Sequence, residues 1–202
     1  GPVNMLDTSR NYAMGESEKR IGTAIKENGG WPEKFVLSTK IDRNMDTLVL
    51  DKKRTRESVE ESLKTLNVDS VDVLFLHDPE YVKDINDVTK KDGALDELFK
   101  IKEEGLAKAV GLAMGRIDIM FPILKKWDFD VIINHNRYTL LNREAGEMYS
   151  YAHSKNISIF NAAPYAGGVL AKGPNNFKKI TYQDATEEKL APVREVSSKP
   201  NK

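Results

Sequence analysis

Four residues whose side chains can hold or transfer a proton follow closely on three predicted strands. The strands are predicted over Val3–Leu6, Phe35–Thr39 and Val73–Leu76. Carboxyl ends of neighbouring parallel strands meet at one edge of a sheet, where such side chains can converge on one pocket. Taken singly, each has an ordinary structural explanation, but their joint position favours a proton-transfer site. The four residues are Asp7, Tyr12, Lys40 and His77.

These residue types form a coherent chemical set. A tyrosine phenol has a pKa near ~10 and is a poor acid or base at neutral pH until a nearby cation lowers that value. Lys40 supplies the cation, the Asp7 carboxylate fixes it, and His77 can hydrogen-bond a reacting oxygen and orient it. None of these groups moves a hydride, so hydride chemistry at this site requires a nicotinamide cofactor.

The strands and helices that must position these residues alternate along the chain. Six predicted strands alternate with helical patterns in units of roughly thirty residues, which predicts a parallel sheet with right-handed crossovers. The turn Thr8–Tyr12 carries no glycine, which disfavours a doubly wound dinucleotide-binding sheet. Reactive residues at the ends of separate strands favour a (β/α)₈ TIM barrel, of which this chain offers about six βα units.

Several local features predict where helices begin and end and where a loop lies. Ser17 is expected to cap the first helix, and Gly105 to follow the end of the third helix as its C′ residue. Pro122 is expected within the first turn of a later helix. Gly167–Gly168 and Gly173–Asn176 predict a flexible loop, which a last helix containing Leu190 and Val193 should follow.

Composition excludes several function classes. A chain of 202 residues predicts a single domain over 1–202. Its 31 basic and 31 acidic residues balance, so net charge steers it neither to nucleic acid nor to an anionic membrane. The absence of cysteine excludes thiolate chemistry, and no metal site is predicted. No apolar stretch approaches the ~20 residues of a membrane span and no signal peptide is evident, which predicts a soluble cytoplasmic protein.

The motifs around the four residues resemble the aldo-keto reductase superfamily. Two later segments are similar to a narrower branch, the D-threo-aldose 1-dehydrogenases, with L-fucose-type dehydrogenases and pyridoxal 4-dehydrogenases as relatives. The superfamily motifs are Asp7-Thr8 with Tyr12 and Gly15–Glu18, Ser38–Lys40 and Leu76–Glu80, and the branch segments are Arg137–Leu141 and Asn161–Gly168.

The resemblance implies a barrel that binds an extended NAD or NADP without a Rossmann domain. It implies that Tyr12 is the general acid or base, tuned by Lys40 and Asp7, and that His77 orients the substrate oxygen. The segment from Pro164 to Gly168 would follow the cofactor pyrophosphate; its alternative is a flexible surface loop. The implied cofactor-binding residues are His135, Ala163, Pro164, Tyr165, Gly167 and Gly168.

Some positions depart from the superfamily pattern. Ala113 and Met114 stand where a serine and an asparagine usually hold the nicotinamide amide, and Ala162 where an aromatic usually stacks on the ring. His135 replaces the usual glutamine and is either an amide contact or a core histidine. Arg137 either faces the substrate or forms an ion pair on the barrel rim.

The expected reaction is NAD(P)-dependent oxidation of a small sugar at C1 to its lactone, or the reverse reduction of a carbonyl substrate. The alternative is a non-catalytic, truncated or regulatory nucleotide-binding module. The superfamily barrel has one more βα unit before Val3 and one more after Val196, so the chain is expected to be a fragment or a truncated product. Bare sheet edges would then favour self-association or weak dinucleotide binding.

Overall fold

The structure is a computed structural model that describes residues 3–180 and 183–198. By its internal contacts the chain divides into two compact units, Gly1–Ile132 and Ile133–Lys202. Within the described part of the chain, no helix combines the length and the apolar character needed to cross a membrane.

Six main strands form one sheet in which the spatial order equals the order along the chain. They are β1 (Met5–Asp7), β2 (Val36–Ile41), β3 (Val71–His77), β4 (Ala107–Met114), β5 (Val131–His135) and β6 (Ser158–Ala162). Parallel pairing joins β1 to β2, β2 to β3 and β3 to β4. A separate antiparallel pair joins the short strands β7 (Lys179–Ile180) and β8 (Gln183–Asp184). All six predicted strands are therefore confirmed.

Eight helices connect and follow these strands among the described residues. They are α1 (Glu16–Glu27), α2 (Lys52–Leu66), α3 (Asn86–Thr89), α4 (Ala94–Glu103), α5 (Ile117–Leu124), α6 (Gly146–Ser154), α7 (Val169–Lys172) and α8 (Glu187–Ser198). Short 3-10 turns occupy Tyr12–Gly15, Pro79–Tyr81 and Ala166–Gly168.

The central strands of the first unit are buried along nearly their whole length. Leu74, Phe75 and Leu76 are three consecutive residues of β3 with no exposed surface. Burial of consecutive residues means that both faces of the strand are covered, as is usual in a parallel sheet. This burial holds the carboxyl ends of β2 and β3 in fixed positions.

Helix α1 packs closely on α2. A Cβ added at Gly22 would lie 2.0 Å from the carbonyl oxygen of Thr65, so only glycine permits this approach. The N-cap of α2 is Asp51, whose carboxylate accepts a hydrogen bond from the Arg54 amide at 2.8 Å. Close packing and a strong cap make this helix pair a firm support for β2.

The prediction for Gly105 is confirmed. Gly105 has φ of +80° and follows α4 as its C′ residue. Its amide donates to Lys102 O at 2.9 Å, and the Leu106 amide donates to Ile101 O at 3.2 Å. These are the two hydrogen bonds of a Schellman motif, which satisfy carbonyl groups at the helix end.

The predictions for Ser17 and Pro122 are wrong. Helix α1 begins at Glu16 with Gly15 in the N-cap position, because Gly15 adopts φ of +89° where the 3-10 turn ends. Ser17 is therefore inside the helix, and its hydroxyl hydrogen-bonds the hydroxyl of Thr8 at 2.7 Å. Pro122 lies near the end of α5 rather than in its first turn, and the helix ends two residues later at Leu124. A proline inside a helix removes one backbone hydrogen bond, which is tolerated best in a short helix such as this one.

In the second unit, Gly167–Gly168 do not lie in an irregular loop as predicted. Both glycines belong to a 3-10 turn that leads directly into α7. A small apolar cluster holds this segment in place, and it includes Leu190 and Val193 of α8, so the predicted last helix is confirmed. The buried members are Ala166, Val169, Leu190 and Val193.

Candidate active site

The ends of β1 and β2 bring a lysine and a carboxylate into direct contact. Lys40 Nζ donates to Asp7 Oδ2 at 2.6 Å and to the carbonyl oxygen of Thr8 at 2.7 Å. The other oxygen of Asp7 accepts a hydrogen bond from the Ser38 hydroxyl at 2.7 Å. Only 2% of Lys40 is exposed. The ammonium group is therefore held at one point, as a catalytic charge must be.

Two opposing effects act on the Lys40 ammonium group. Burial is the larger effect and lowers the pKa of Lys40, while the charge and the hydrogen bond of Asp7 act against it. Asp42 and Asp78 add smaller effects in the same direction as Asp7. A buried lysine with a lowered pKa beside a specific charge partner is typical of a functional site.

Tyr12 lies beside this lysine. Lys40 Nζ is 4.7 Å from the centroid of the Tyr12 ring. The tyrosine begins a 3-10 turn in which its amide donates to Ser9 O at 3.1 Å. Ala13 and Met14 follow with φ of 50° and 55°, a left-handed conformation that non-glycine residues rarely adopt. Tyr12 is 42% exposed, far more than Lys40 beside it.

His77, at the end of β3, completes the set in the first unit. Its ring contacts the Tyr12 ring edge to face, with centroids 5.9 Å apart and planes at 82°. His77 Nδ1 is 2.6 Å from Asp42 Oδ1. On the other side of the ring, Nε2 is 3.7 Å from Asp78 Oδ1. The structure thus brings together all four residues that the sequence singles out for proton transfer.

Sequence reasoning missed Asp42, which contacts His77 directly. Asp42 is 2% exposed, and its Oδ2 accepts hydrogen bonds from the Ser9 hydroxyl at 2.6 Å and from the Asn11 amide at 3.1 Å. Burial would raise the pKa of Asp42, but the hydrogen bond and charge of His77, with the bonds from Ser9 and Asn11, hold it below its usual value. Asp42 is therefore an ionised, buried hydrogen-bond acceptor.

The signal that could have revealed Asp42 is strand alternation. Side chains two residues apart on a strand point to the same face, so Ser38, Lys40 and Asp42 share one face of β2 and its extension. Ser38 and Lys40 both bond Asp7 on that face. A third polar residue in the same row belongs to the same site.

The predicted residues His135 and Arg137 lie in the second unit, at and just after the end of β5. His135 Nδ1 is 3.1 Å from the side-chain nitrogen of Asn136, which is 4% exposed. The side-chain oxygen of Asn136 is buried and has no hydrogen-bond partner among the described residues. Arg137 forms an ion pair with Glu144 at 3.3 Å, which agrees with the ion-pair alternative for this residue.

The predicted cofactor segment follows β6. Left-handed φ values recur along it, 53° at Ala163, 51° at Ala166, 75° at Gly167 and 109° at Gly168. Two of its hydrogen bonds are internal, from the Ala166 amide to Ala163 O at 3.1 Å and from the Gly168 amide to Tyr165 O at 2.9 Å. Small side chains and left-handed turns leave the backbone open to close approach by a ligand.

The predicted departures at the end of β4 are also in place. Ala113 and Met114 are 2% and 0% exposed. Their side chains cannot hydrogen-bond an amide as serine and asparagine do. The end of β4 therefore lacks the polar side chains that the superfamily pattern places there.

Comparison with known proteins identifies the family. The sequence profile described as "Aldo/keto reductase family" matches residues 2–199. The chain is 30% identical over 212 residues to D-threo-aldose 1-dehydrogenase of Pseudomonas sp, covering 92% of this chain and 63% of that protein. It is 28% identical over 184 residues to L-galactose dehydrogenase of Arabidopsis thaliana, covering 85% of this chain and 54% of that protein. The chain thus spans between about half and two thirds of the length of these relatives.

A solved structure shares the fold. The holo form of an aldo-keto reductase from Bacillus halodurans matches 98% of this chain and 65% of its own chain, with a TM-score of 0.76 and 24% identity. This match confirms the predicted fold class, a (β/α)₈ barrel of which about six βα units are present here. Since the family profile matches nearly the whole chain, the protein belongs to the aldo/keto reductase family.

Proposed function

We propose that this protein is an NAD(P)-dependent oxidoreductase that oxidises a small aldose at C1 to its lactone, or catalyses the reverse reduction of a carbonyl substrate. The observation that carries the proposal is the position of Lys40 Nζ, 2.6 Å from Asp7 Oδ2 and 4.7 Å from the centroid of the Tyr12 ring. A fixed cation beside an accessible phenol is what proton transfer by tyrosine at neutral pH requires.

Each residue of the candidate site has a separate role in this reaction. In the oxidising direction, the Tyr12 phenolate accepts the proton of the substrate hydroxyl, and the Lys40 ammonium stabilises that phenolate. Asp7 and the carbonyl oxygen of Thr8 hold Lys40 in place through its two hydrogen bonds. His77 contacts the same oxygen and orients it. In the reducing direction, the Tyr12 phenol returns the proton to the carbonyl oxygen.

A nicotinamide dinucleotide, when bound, accepts or donates the hydride that these side chains cannot carry. Residues of the second unit fit such a ligand. Within the segment Ala163–Gly168, four residues combine a small or absent side chain with left-handed backbone, which permits close approach to a pyrophosphate: Ala163, Ala166, Gly167 and Gly168. The unpaired oxygen of Asn136, next to His135, can accept a hydrogen bond from a carboxamide. The proposal includes both NAD and NADP as the cofactor.

The substrate class rests on the similarity to two dehydrogenases of aldoses, D-threo-aldose 1-dehydrogenase and L-galactose dehydrogenase. Aldoses present a hydroxyl group at C1, which meets the requirement for a proton and a hydride on adjacent atoms. In this oxidation the C1–O bond becomes a carbonyl. The proton of the hydroxyl passes to Tyr12, and a bound nicotinamide dinucleotide would accept the hydride from C1.

The test is a substrate panel with the full-length protein. L-fucose, L-galactose, related aldoses and pyridoxal are assayed with NAD and with NADP, and reduction of the dinucleotide is followed. We expect turnover of at least one aldose, and Tyr12→Phe to reduce it by about 10²–10⁴-fold. Tyr151→Phe, a half-buried tyrosine on α6, is the matched control and should leave turnover unchanged. A Tyr12→Phe variant with most of the wild-type activity would contradict the role of Tyr12.

A second candidate function is a nucleotide-binding module without catalysis. The observation that favours it is the pair of buried apolar side chains, Ala113 and Met114, where the superfamily pattern has polar contacts to nicotinamide. Dinucleotide binding measured by fluorescence, with no turnover of any aldose, aldehyde or alcohol in the panel, would support this alternative against the enzyme.

A further inference from the structure

We propose that Asp42 is a positioning residue that fixes the tautomer of His77, so that neutral His77 carries its proton on Nδ1 and presents Nε2 to the substrate as a hydrogen-bond acceptor. The tautomer follows from contacts within the first unit. Its kinetic consequence rests on the proposed function, and the experiment separates the two.

The first step is the identity of the atoms at Nδ1. Asp42 Oδ1 is 2.6 Å from His77 Nδ1, and the Ser9 hydroxyl oxygen is 3.4 Å from the same nitrogen. The Ser9 hydrogen is directed to Asp42 Oδ2 at 2.6 Å, so its oxygen faces Nδ1 with lone pairs. Both neighbours of Nδ1 are therefore acceptors, and Nδ1 must be the donor.

The second step is the charge of Asp42. A protonated carboxyl group could donate to Nδ1 and reverse the tautomer. Burial raises the pKa of Asp42, but the hydrogen bond with His77 and the two bonds donated to Oδ2 by the Ser9 hydroxyl and the Asn11 amide hold it below its usual value. An ionised carboxylate accepts hydrogen bonds and donates none, so the Nδ1 proton belongs to His77.

The third step concerns the ring nitrogen of His77 that is available to the substrate. With Nδ1 bound to Asp42, Nε2 is the ring nitrogen left for a reacting oxygen. Titratable groups near the ring include Tyr12, whose ring centroid is 5.9 Å away, and Asp78, whose buried Oδ1 is 3.7 Å from Nε2. The Lys40 ammonium group lies 4.7 Å from the centroid of the same tyrosine ring. A bare Nε2 accepts a hydrogen bond from a hydroxyl group, whereas a carbonyl oxygen needs a donor there and so requires a second proton on the ring.

The two protonation states of the His77 ring bind different forms of the substrate. Neutral His77 binds the hydroxyl form, which is oxidised, and doubly protonated His77 binds the carbonyl form, which is reduced. The Asp42–His77 pair therefore favours the hydroxyl form of the substrate while His77 is neutral, and binding of the carbonyl form requires a second proton on the ring.

Substitution of Asp42 by asparagine should reverse the tautomer. The Asn11 amide can only donate, and it donates to Oδ2 at 3.1 Å, so the carbonyl oxygen of the new side chain must take that place. Its NH₂ group then faces His77 Nδ1 and donates to it. Neutral His77 in the Asp42→Asn variant would therefore carry its proton on Nε2.

The matched control is Asp78→Asn. It removes a carboxylate that lies near the same ring but beyond hydrogen-bond distance, at 3.7 Å from Nε2. Asp78 has φ of 47°, a left-handed conformation that asparagine adopts well. This variant changes the charge near His77 and leaves the bond between Asp42 and Nδ1 in place.

The experiment is nitrogen-15 NMR of the histidine rings in the full-length protein at about pH 9, above the ~6.5 at which an unperturbed histidine titrates. The chain has three histidines, and the signals of His77 are assigned from their loss in His77→Gln. We expect the Nδ1–H tautomer in wild type and in Asp78→Asn, and the Nε2–H tautomer in Asp42→Asn. A neutral wild-type ring protonated at Nε2, or a ring still doubly protonated at this pH, would overturn the proposal, whether or not the variants fold.

The kinetic arm uses both directions of the reaction. We expect Asp42→Asn to lower kcat/KM for oxidation by about 10–100-fold, the size seen when orienting partners of metal-ligating histidines are removed. The reduction rate of the variant should lose its dependence on protonation of His77, because Nε2 already carries a proton. The expected NMR result without any turnover in wild type would refute the proposed function and leave the tautomer established. Equal losses in both directions with an unchanged pH profile would refute the positioning role.

Discussion

In the first unit the candidate groups are charged or titratable side chains at the ends of strands, whereas in the second unit they are mostly backbone groups of one short segment. Lys40 and His77 are each bound by a carboxylate at 2.6 Å. The segment Ala163–Gly168 carries no charged side chain and is defined by its left-handed φ values. The first arrangement depends on which side chains are present, and the second depends on which are absent.

The two arrangements also differ in how their groups are supported. Buried strands of the first unit hold charges whose partners would be left unpaired if one were removed. A cluster of four buried apolar residues holds the segment of the second unit. Substitutions should therefore act mainly on chemistry in the first unit and mainly on local stability in the second.

The largest expected effect is that of Lys40→Met. It removes the cation beside Tyr12 together with its hydrogen bonds to Asp7 and to the carbonyl oxygen of Thr8, so we expect turnover to fall by about 10²–10⁴-fold. Steady-state kinetics with the best aldose measures the loss. The control is Lys108→Met, because Lys108 forms a similar pair with Asp72 at 2.7 Å but is largely exposed. If the two variants lose the same activity, the burial of Lys40 has no special role.

The next effect concerns the apolar cluster of the second unit. Leu190→Ala removes a fully buried side chain and should lower the free energy of unfolding of this unit by about 2–5 kcal/mol. Amide hydrogen exchange should increase in α7 and change much less in β3. Leu140→Ala, at a residue 61% exposed, should change stability by less than about 0.5 kcal/mol. Equal acceleration in α7 and β3 would show that the two units unfold together.

A smaller effect is expected in the proposed cofactor segment, where two glycine substitutions separate the cost of backbone strain from the loss of a ligand contact. Gly168 has φ of 109° and Gly173 has φ of 80°, so alanine at either position is strained by about 1–2 kcal/mol. Only Gly168 lies in the segment proposed to approach the pyrophosphate. We expect Gly168→Ala to raise the Kd for dinucleotide in a fluorescence titration and Gly173→Ala to leave it unchanged. The reverse order, or equal effects, would remove the segment from the cofactor site.

The smallest effect is a pH dependence of stability in the first unit, at Glu18 of α1. Burial raises the pKa of Glu18 above 4.5, against the hydrogen bond that the Thr39 hydroxyl donates to this carboxylate. The folded state then binds the proton more tightly than the unfolded state, so stability falls as pH rises from about 4.5 through the folded pKa. Glu18→Gln removes this loss. The stability of this variant relative to wild type should therefore increase with pH, by no more than about 1.4 kcal/mol per pH unit.

Asp42, in the same unit, should give the opposite dependence of stability on pH. Its pKa is held below 3.8 in the folded state, so its stabilising contribution is present at neutral pH and is lost as pH falls through the folded pKa. Denaturant unfolding between acid and neutral pH compares the Glu18→Gln and Asp42→Asn variants. Parallel pH profiles for the two variants would contradict the assignment of opposite shifts.

The part of the site that sequence predicts is the part fixed by strand ends. Asp7, Lys40 and His77 end or directly follow apolar runs, and parallel strands place such positions at one edge. Asp42 was missed because the predicted strand ended before it, although alternation from Ser38 and Lys40 continues to it. Its role became visible only through the distance to His77, a residue 35 positions away in sequence.

The second unit was predicted less well for a different physical reason. Gly167 and Gly168 were interpreted as flexible because glycine lacks a side chain, but left-handed glycine is also what a tight helical turn requires. The packing of Val169 against Leu190 and Val193 decides between the two interpretations. Contacts over this sequence distance leave no local pattern around the glycines.

The most direct test of the central claim follows the hydride itself. The full-length protein is given an aldose deuterated at C1 together with the oxidised dinucleotide, and the product dinucleotide is examined by proton NMR. We expect deuterium at C4 of the reduced nicotinamide in wild type, and the same product at a rate about 10²–10⁴-fold lower in Tyr12→Phe. Reduced dinucleotide without deuterium, or tight dinucleotide binding with no transfer from any aldose, would contradict the account.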